Sequence, residues 1–349
     1  MKKLLLAAGI LLSGFVAPAS AQEVTLKLHQ FLPPAANVPK LILDVWADEV
    51  EKDSGGRIKI DRFGSMALGG KPPELMDQAI DGVADIIWTV VGYTPGRYPR
   101  TEVFELPFMM TNAEDMSCAF AKVFESDIRD AEFSNLQVVG TWVHGPGVIH
   151  SKRHITNVAD MRGVKVRGAT RTVTSMLEQL GATSVGMPVP AVPEALSKGV
   201  IDATTIPWEV TGSLKVPELV ENHTEFEGNA LYTITFVLAM NKAKYNSLPD
   251  DLKAVIDANS GVAFSSFAGR VQQASDTPAR AVAVERGNSI VTVKGDALAE
   301  WQAAAEPVYE QWKASMTERG IDGAALIETA RTTIDACAAE PRSTWPSDG

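Results

Sequence analysis

The residue best placed to do chemistry is Arg167, which follows the short apolar strand Val164-Lys165-Val166. Gly168 comes next, and Thr170 and Thr172 then offer N-caps to a helix predicted to run to about Leu180 and close at Gly181. In open α/β sheets, ligands gather beyond the carboxyl ends of the strands, beside helix N-termini whose dipoles favour anions. A guanidinium held there presents a planar fork of donors that matches a carboxylate in two parallel hydrogen bonds. The expected chemistry is anion capture, with Arg167 holding a carboxylate. Arg171 stands near the helix start, where the dipole disfavours a cation unless an anion is close. It fits a second ligand contact and a solvated arginine equally well.

Other side chains sit where the wall of such a site would be. Trp88, Trp142 and Trp208 each fall at or just past the end of a predicted strand, whereas Trp46, Trp301 and Trp312 lie on helices and read as core. Phe31 ends the first strand, and Tyr93 occupies the loop Gly92-Tyr93-Thr94-Pro95-Gly96. Thr205 follows the strand predicted over Val200–Thr204. His144 and His150 are six residues apart with no carboxylate or cysteine at ligand spacing, so no metal is expected; one of them could donate a hydrogen bond in a cleft. No Gly-x-Ser-x-Gly elbow, phosphate loop or paired-cysteine motif occurs, so neither a catalytic set nor a cofactor is expected.

The elements that must position these residues alternate. Glu23–Phe31 alternates apolar and polar residues as a strand, and Val38–Lys52 carries apolar residues at helical spacing. Arg57–Phe63 and Ala84–Thr89 read as strands around a helix that starts at Pro72-Pro73 and ends at Gly82. Helix followed by Gly-Val-x-Asp and a strand occurs twice, at Gly82-Val83-Ala84-Asp85 and at Gly199-Val200-Ile201-Asp202. This weak repeat points to two lobes of like build, both α/β with largely parallel sheets. Leu136–Trp142 and Gly147–Ser151 are predicted to cross between the lobes, and Leu231–Met240 to cross back. Asp250 to about Arg286 reads as one long or kinked helix bracing both, followed by helices at Leu298–Arg319 and Gly323–Ala338.

Composition bounds the setting. Lys2 and Lys3, the apolar run Leu4–Val16 and Ala19-Ser20-Ala21 form a secretory signal, cleaved before Gln22. Removing two lysines takes the formal charge from −11 to −13, which argues against a nucleic-acid partner. A local arginine can still hold an anion in a closed cleft. The two cysteines, Cys118 and Cys337, are too sparse for a framework, and the sequence is compatible with both a disulfide and free thiols.

The run Gly163-Val164-Lys165-Val166-Arg167 resembles the substrate-binding proteins of tripartite ATP-independent periplasmic (TRAP) transporters, the DctP-like family. So do Glu194-Ala195-Leu196 through Gly199-Val200-Ile201-Asp202, Pro207, Met240-Asn241-Lys242, Leu248-Pro249-Asp250-Asp251-Leu252 and Leu106-Pro107-Phe108. The likeness covers nearly all of the chain after the signal. It implies a two-lobed, type II-like periplasmic binding fold with crossing hinge strands and a bracing helix, closing over a small organic acid. It also implies delivery to a small and a large membrane subunit driven by a sodium gradient, with Arg167 as the ligand-carboxylate arginine. Residues 22–144 with 233–272 are assigned to lobe I, 145–232 with 273–300 to lobe II, and 301–349 to C-terminal helices and a tail. Where the family often has Glu-Asn, this chain has Thr205-Ile206, a less polar wall. The second arginine of some members is replaced by His144-Gly145-Pro146-Gly147. One arginine facing tryptophans favours an aromatic or apolar monocarboxylate. A C4-dicarboxylate is the alternative, with Arg171 as its second anchor, and an enzyme or a sensor receptor for such an acid stands behind both. The expected protein is a periplasmic monomer.

Overall fold

The computed structural model describes residues 22–346; the export signal expected over residues 1–21 lies outside them. Among the described residues, eleven strands form two sheets. They are β1 (Val24–His29), β2 (Ile58–Phe63), β3 (Ile86–Val90), β4 (Leu136–Val143), β5 (Val148–Ser151), β6 (Lys165–Gly168), β7 (Thr183–Gly186), β8 (Ala203–Ile206), β9 (Asn222–Phe226), β10 (Thr235–Asn241) and β11 (Ser289–Val293). The first sheet has the order β2-β1-β3-β10-β4 and the second β11-β9-β5-β8-β6-β7. β1, β2 and β3 are parallel, as are β6, β7 and β8, while β10 and β5 run against their neighbours. β3 and β10 are buried along their whole length, as central strands covered on both faces must be.

The repeated Gly-Val-x-Asp has one job in both sheets. Gly82 and Gly199 take φ of 75° and 69°, a left-handed conformation that ends each preceding helix at little steric cost. Three residues on, Asp85 accepts from the Lys27 amide at 2.8 Å and Asp202 from the Lys165 amide at 3.1 Å. Each aspartate thereby ties the entering strand to its parallel neighbour. The cost of the turn is one exposed valine per sheet, Val83 and Val200.

The chain crosses between sheets from β4 to β5 and returns from β9 to β10. β10 begins at Thr235 rather than Leu231, because Leu231 and Tyr232 spend their carbonyls outside the ladder, on Phe108 and Gly147. β8 likewise starts at Ala203, since the Val200 and Ile201 amides still bond back to Ala195. The predicted brace is three helices, Asp250–Ala258, Val262–Ala274 and Asp276–Glu285. The first break falls at Asn259–Gly261. At the second, Pro278 has no amide hydrogen for the Ala274 carbonyl, and the axis kinks at Ser275. Val262–Ala274 packs on β4, and Asp276–Glu285 packs on the turn Trp208–Val210 of the second sheet, so the kinked pair still spans both halves. The helix predicted over Leu298–Arg319 is similarly cut by Pro307 into Gly295–Ala305 and Pro307–Thr317.

The open cysteine question resolves as a disulfide. Cys118 in the helix Ala113–Val123 bonds to Cys337 in the helix Gly323–Ala339, with Cα atoms 6.1 Å apart. Among the described residues, no helix is long and apolar enough to cross a membrane.

Candidate functional site

The strand ends of the two sheets face each other across a cavity. Phe31 lies just past β1, Trp88 and Val90 end β3, and His144 follows β4. From the second sheet come Arg167 on β6 and Thr205 and Ile206 on β8. This is the strand-end crevice that the α/β build favours.

Arg167 is 1% exposed. Its Nε donates to the Met187 carbonyl at 2.9 Å, Nη1 to the Thr205 carbonyl at 3.0 Å, and Nη2 to the Tyr93 hydroxyl at 3.4 Å. Thr205 returns a bond from Oγ1 to the Arg167 carbonyl at 2.9 Å, which locks strand and side chain together. A guanidinium has five N–H groups. Three meet these neutral acceptors, which leaves one on each terminal nitrogen, the pair that a carboxylate bridges. Among the described residues no carboxylate pairs with Arg167. Tyr93 extends the donor set: its oxygen accepts from Arg167 and from the Val189 amide at 2.9 Å, leaving its own hydrogen to donate. Burial pushes the phenol up, so that hydrogen stays on at neutral pH.

Opposite stands an aromatic wall. Trp88 stacks on Phe31 with ring centres 4.6 Å apart and on Phe236 at 5.3 Å, with interplanar angles of 16° and 19°. Tyr232, Ile234 and Phe236 line the cavity from the returning segment, and Val189, Ile206 and Val210 complete its apolar surface. Glu209 and Gln272 also reach it. Gln272 donates to the Glu209 carboxyl at 2.8 Å, and burial pushes Glu209 up to about 7. Sequence reading missed Tyr232, Phe236, Glu209 and Gln272. Only the segment Leu231–Met240, already assigned to the crossing, pointed toward the first two.

Of the sequence candidates, Arg167, Trp88, Phe31, Tyr93, His144 and Thr205 come together on the cavity; three do not. Trp142 is fully buried behind Trp88, 6.3 Å centre to centre, and its Nε1 donates to Gln272 at 2.8 Å. Trp208 packs between His150 and His223, held by a 2.6 Å bond to Glu225. Arg171 turns away to pair with Glu102 at 2.6 Å, its side chain 38% exposed. The anion that tolerates Arg171 at a helix start is this glutamate of the facing half.

With donors at one end and stacked rings along the side, the cavity is chemically matched to a carboxylate on a flat apolar body. The model of the family described as bacterial extracellular solute-binding protein, family 7 (DctP), matches residues 31–315. The chain belongs to that family. A TRAP solute-binding protein from Rhodoferax ferrireducens T118, solved with copurified benzoate, is 51% identical, with a TM-score of 0.88 over 90% of this chain and 98% of that one. A marine-metagenome TRAP protein holding 3-hydroxybenzoate is 46% identical, with a TM-score of 0.89 over 90% and 99%. A Bordetella bronchiseptica protein with bound mandelate is 25% identical, with a TM-score of 0.83 over 89% and 99%. Among curated proteins, the outer membrane transporter protein TsaT of Comamonas testosteroni is 27% identical across 92% of this chain and 95% of its own length.

Proposed function

We propose that this family member captures an aromatic monocarboxylate in the periplasm and hands it, chemically unchanged, to the small and large membrane subunits of a TRAP transporter. One observation carries the reading: a buried guanidinium, with two N–H groups unspent on protein and no acidic partner among the described residues, faces stacked aromatic rings. A buried charge without a counter-ion is costly, so Arg167 favours an anionic occupant. An aromatic ring set against Trp88 adds about 0.5–1.5 kcal/mol beyond simple burial. The likeness to proteins solved with benzoate, 3-hydroxybenzoate and mandelate supports the same class. Arg167, Tyr93, Trp88, Phe31 and Thr205 are assigned to the site, and one chain supplies all of it, so a monomer suffices. The lobes are assigned as 22–144 with 233–272 and 145–232 with 273–300, hinging at the two crossings and the Ser275 kink.

A C4-dicarboxylate is the weaker reading. Arg171, its intended second anchor, is engaged with Glu102 outside the cavity, and Glu209 would stand near the second charge. A thermal-shift panel separates the two, because a ligand that binds only the folded state raises the melting point by mass action. Benzoate-like acids are expected to raise it and succinate-like acids to leave it unchanged. The reverse pattern overturns the proposal.

A further inference from the structure

Three buried polar atoms on the cavity wall have no hydrogen-bond partner in the protein, Trp88 Nε1, the Tyr232 hydroxyl and His144 Nε2; a carboxylate can accept from the first two but can give nothing to an unprotonated imidazole nitrogen. His144 is 1% exposed, and its Nε2 has no hydrogen-bond partner in the protein. The tautomer follows from its other nitrogen. Nδ1 lies within hydrogen-bond distance of the Gly145 carbonyl, which can only accept, so Nδ1 carries the hydrogen. The Thr233 hydroxyl, 3.2 Å from Nδ1, already donates its hydrogen to the His144 carbonyl at 2.9 Å and cannot supply another. Burial, aided by the charge of Arg167, pushes the imidazole down to about 4, so the ring is neutral near pH 7. Nε2 is therefore a bare lone pair, and His144 accepts in the cleft rather than donating.

Resting on the reading of the cavity as a carboxylate site, we propose that His144 Nε2 is a hydroxyl-recognition subsite, so that the physiological ligand is an aryl carboxylate carrying a free hydroxyl. A plain benzoate has oxygens that only accept. It can serve Arg167, Tyr93 and the two other unpartnered atoms on the wall, Trp88 Nε1 and the Tyr232 hydroxyl, but it offers nothing to a lone pair. A hydroxyl does. Sites built to bond a hydroxyl reject analogues lacking it far more strongly than apolar pockets reject a changed methylene, because the site's polar atom is left unpaired. A ring hydroxyl and an α-hydroxyl on a side chain supply the same donor.

Calorimetric titration of the intact protein with benzoate, 3-hydroxybenzoate, 4-hydroxybenzoate, mandelate and 3-methoxybenzoate tests this. At least one hydroxylated acid is expected to bind about tenfold more tightly than benzoate. The methoxy acid should show no such gain, because its oxygen cannot donate. Whether a ring isomer or mandelate gains identifies where the hydroxyl sits. In His144→Phe the hydroxyl-to-benzoate preference should collapse toward one, and in His144→Gln, which restores an acceptor, it should partly return. Nitrogen NMR of the unsubstituted protein gives a second readout independent of either variant. The unprotonated Nε2 signal should move upfield with the preferred hydroxy acid and stay in place with benzoate. Benzoate binding as tightly as every hydroxy acid, a preference that survives in His144→Phe, or a protonated Nε2 in the free protein each overturns the subsite while leaving carboxylate capture standing. Absence of binding by any aryl acid overturns both.

Discussion

Arg167 shows how much a single residue's position can disclose. A basic side chain at the end of a short apolar strand, followed by a helix start, already implies an anion site, and the structure gives that arginine only neutral protein partners. Replacing it with lysine keeps the charge but loses the fork, and its Met187 and Thr205 acceptors lose their fixed geometry. Arg167→Lys is expected to cost about 2–5 kcal/mol of binding to an aromatic acid, with the fold retained. Calorimetry showing less than about a threefold loss, under 1 kcal/mol, removes Arg167 from the site. The tryptophans were harder to sort. Trp88 and Trp142 occupy similar strand ends, yet β10 lies between their strands, and only Trp88 lines the cavity. Both rings stack on Phe236 and so share a face of the sheet; Phe264 and Gln272 of the helix Val262–Ala274 cover Trp142, and sequence alone does not say which strand end a distant helix covers. Gln272 and Glu209 were invisible for a related reason: both depend on where a kinked helix lands against a turn distant in sequence.

At the scale of elements, the two halves are tied around the cavity by a few polar contacts. Asn37 donates to the Glu209 carbonyl at 2.9 Å, Thr170 to Glu105 at 2.6 Å, and Arg171 pairs with Glu102. Thr170 is also the N-cap of the Arg171–Gln179 helix, so the start of that helix and the closing contact share one side chain. Arg171 therefore acts on closure rather than on ligand chemistry. Since the pair is more than a third exposed on the arginine side, it is worth about 1 kcal/mol or less. Arg171→Met is expected to weaken every ligand slightly and equally; selective loss of dicarboxylate binding would return Arg171 to the pocket. The strand–helix alternation was legible because hydrophobic period is a local property. Helix continuity over 250–286 was not, because the breaks at Gly261 and Pro278 compete with a strong periodic pattern whose outcome packing decides.

Across the whole molecule, burial leaves a pH signature. Glu105 and Glu209 are pushed up to about 7 and Asp276 to about 8, chiefly by desolvation. A carboxyl with a raised folded-state pKa contributes stability that is present below its ordinary range and lost as pH rises through the raised value. His144 and His223 are pushed down to about 4, so their contribution is present above the ordinary histidine value and lost on acidification. His29 and His150 are pushed down as well, so the two sets oppose each other until unfolded histidine has lost its proton; from about pH 7.5 the raised carboxyls dominate. The melting point is expected to fall from about pH 7.5 to about pH 8.5, with a smaller fall in Glu209→Gln. A flat or rising profile contradicts that assignment. The two-lobed plan itself was readable from the Gly-Val-x-Asp repeat. The link between Cys118 and Cys337 was not, because 219 residues separate them and only the packed helices bring them within reach.

The central claim is that one buried arginine and one aromatic wall define the ligand. A crystal structure of the protein soaked with benzoate measures it most directly. The expected density has the carboxylate bridging both terminal nitrogens of Arg167, with Tyr93 as a further donor, and the ring against Trp88. A carboxylate bound at Arg171, or a ring lodged away from Trp88 and Phe31, would contradict the account.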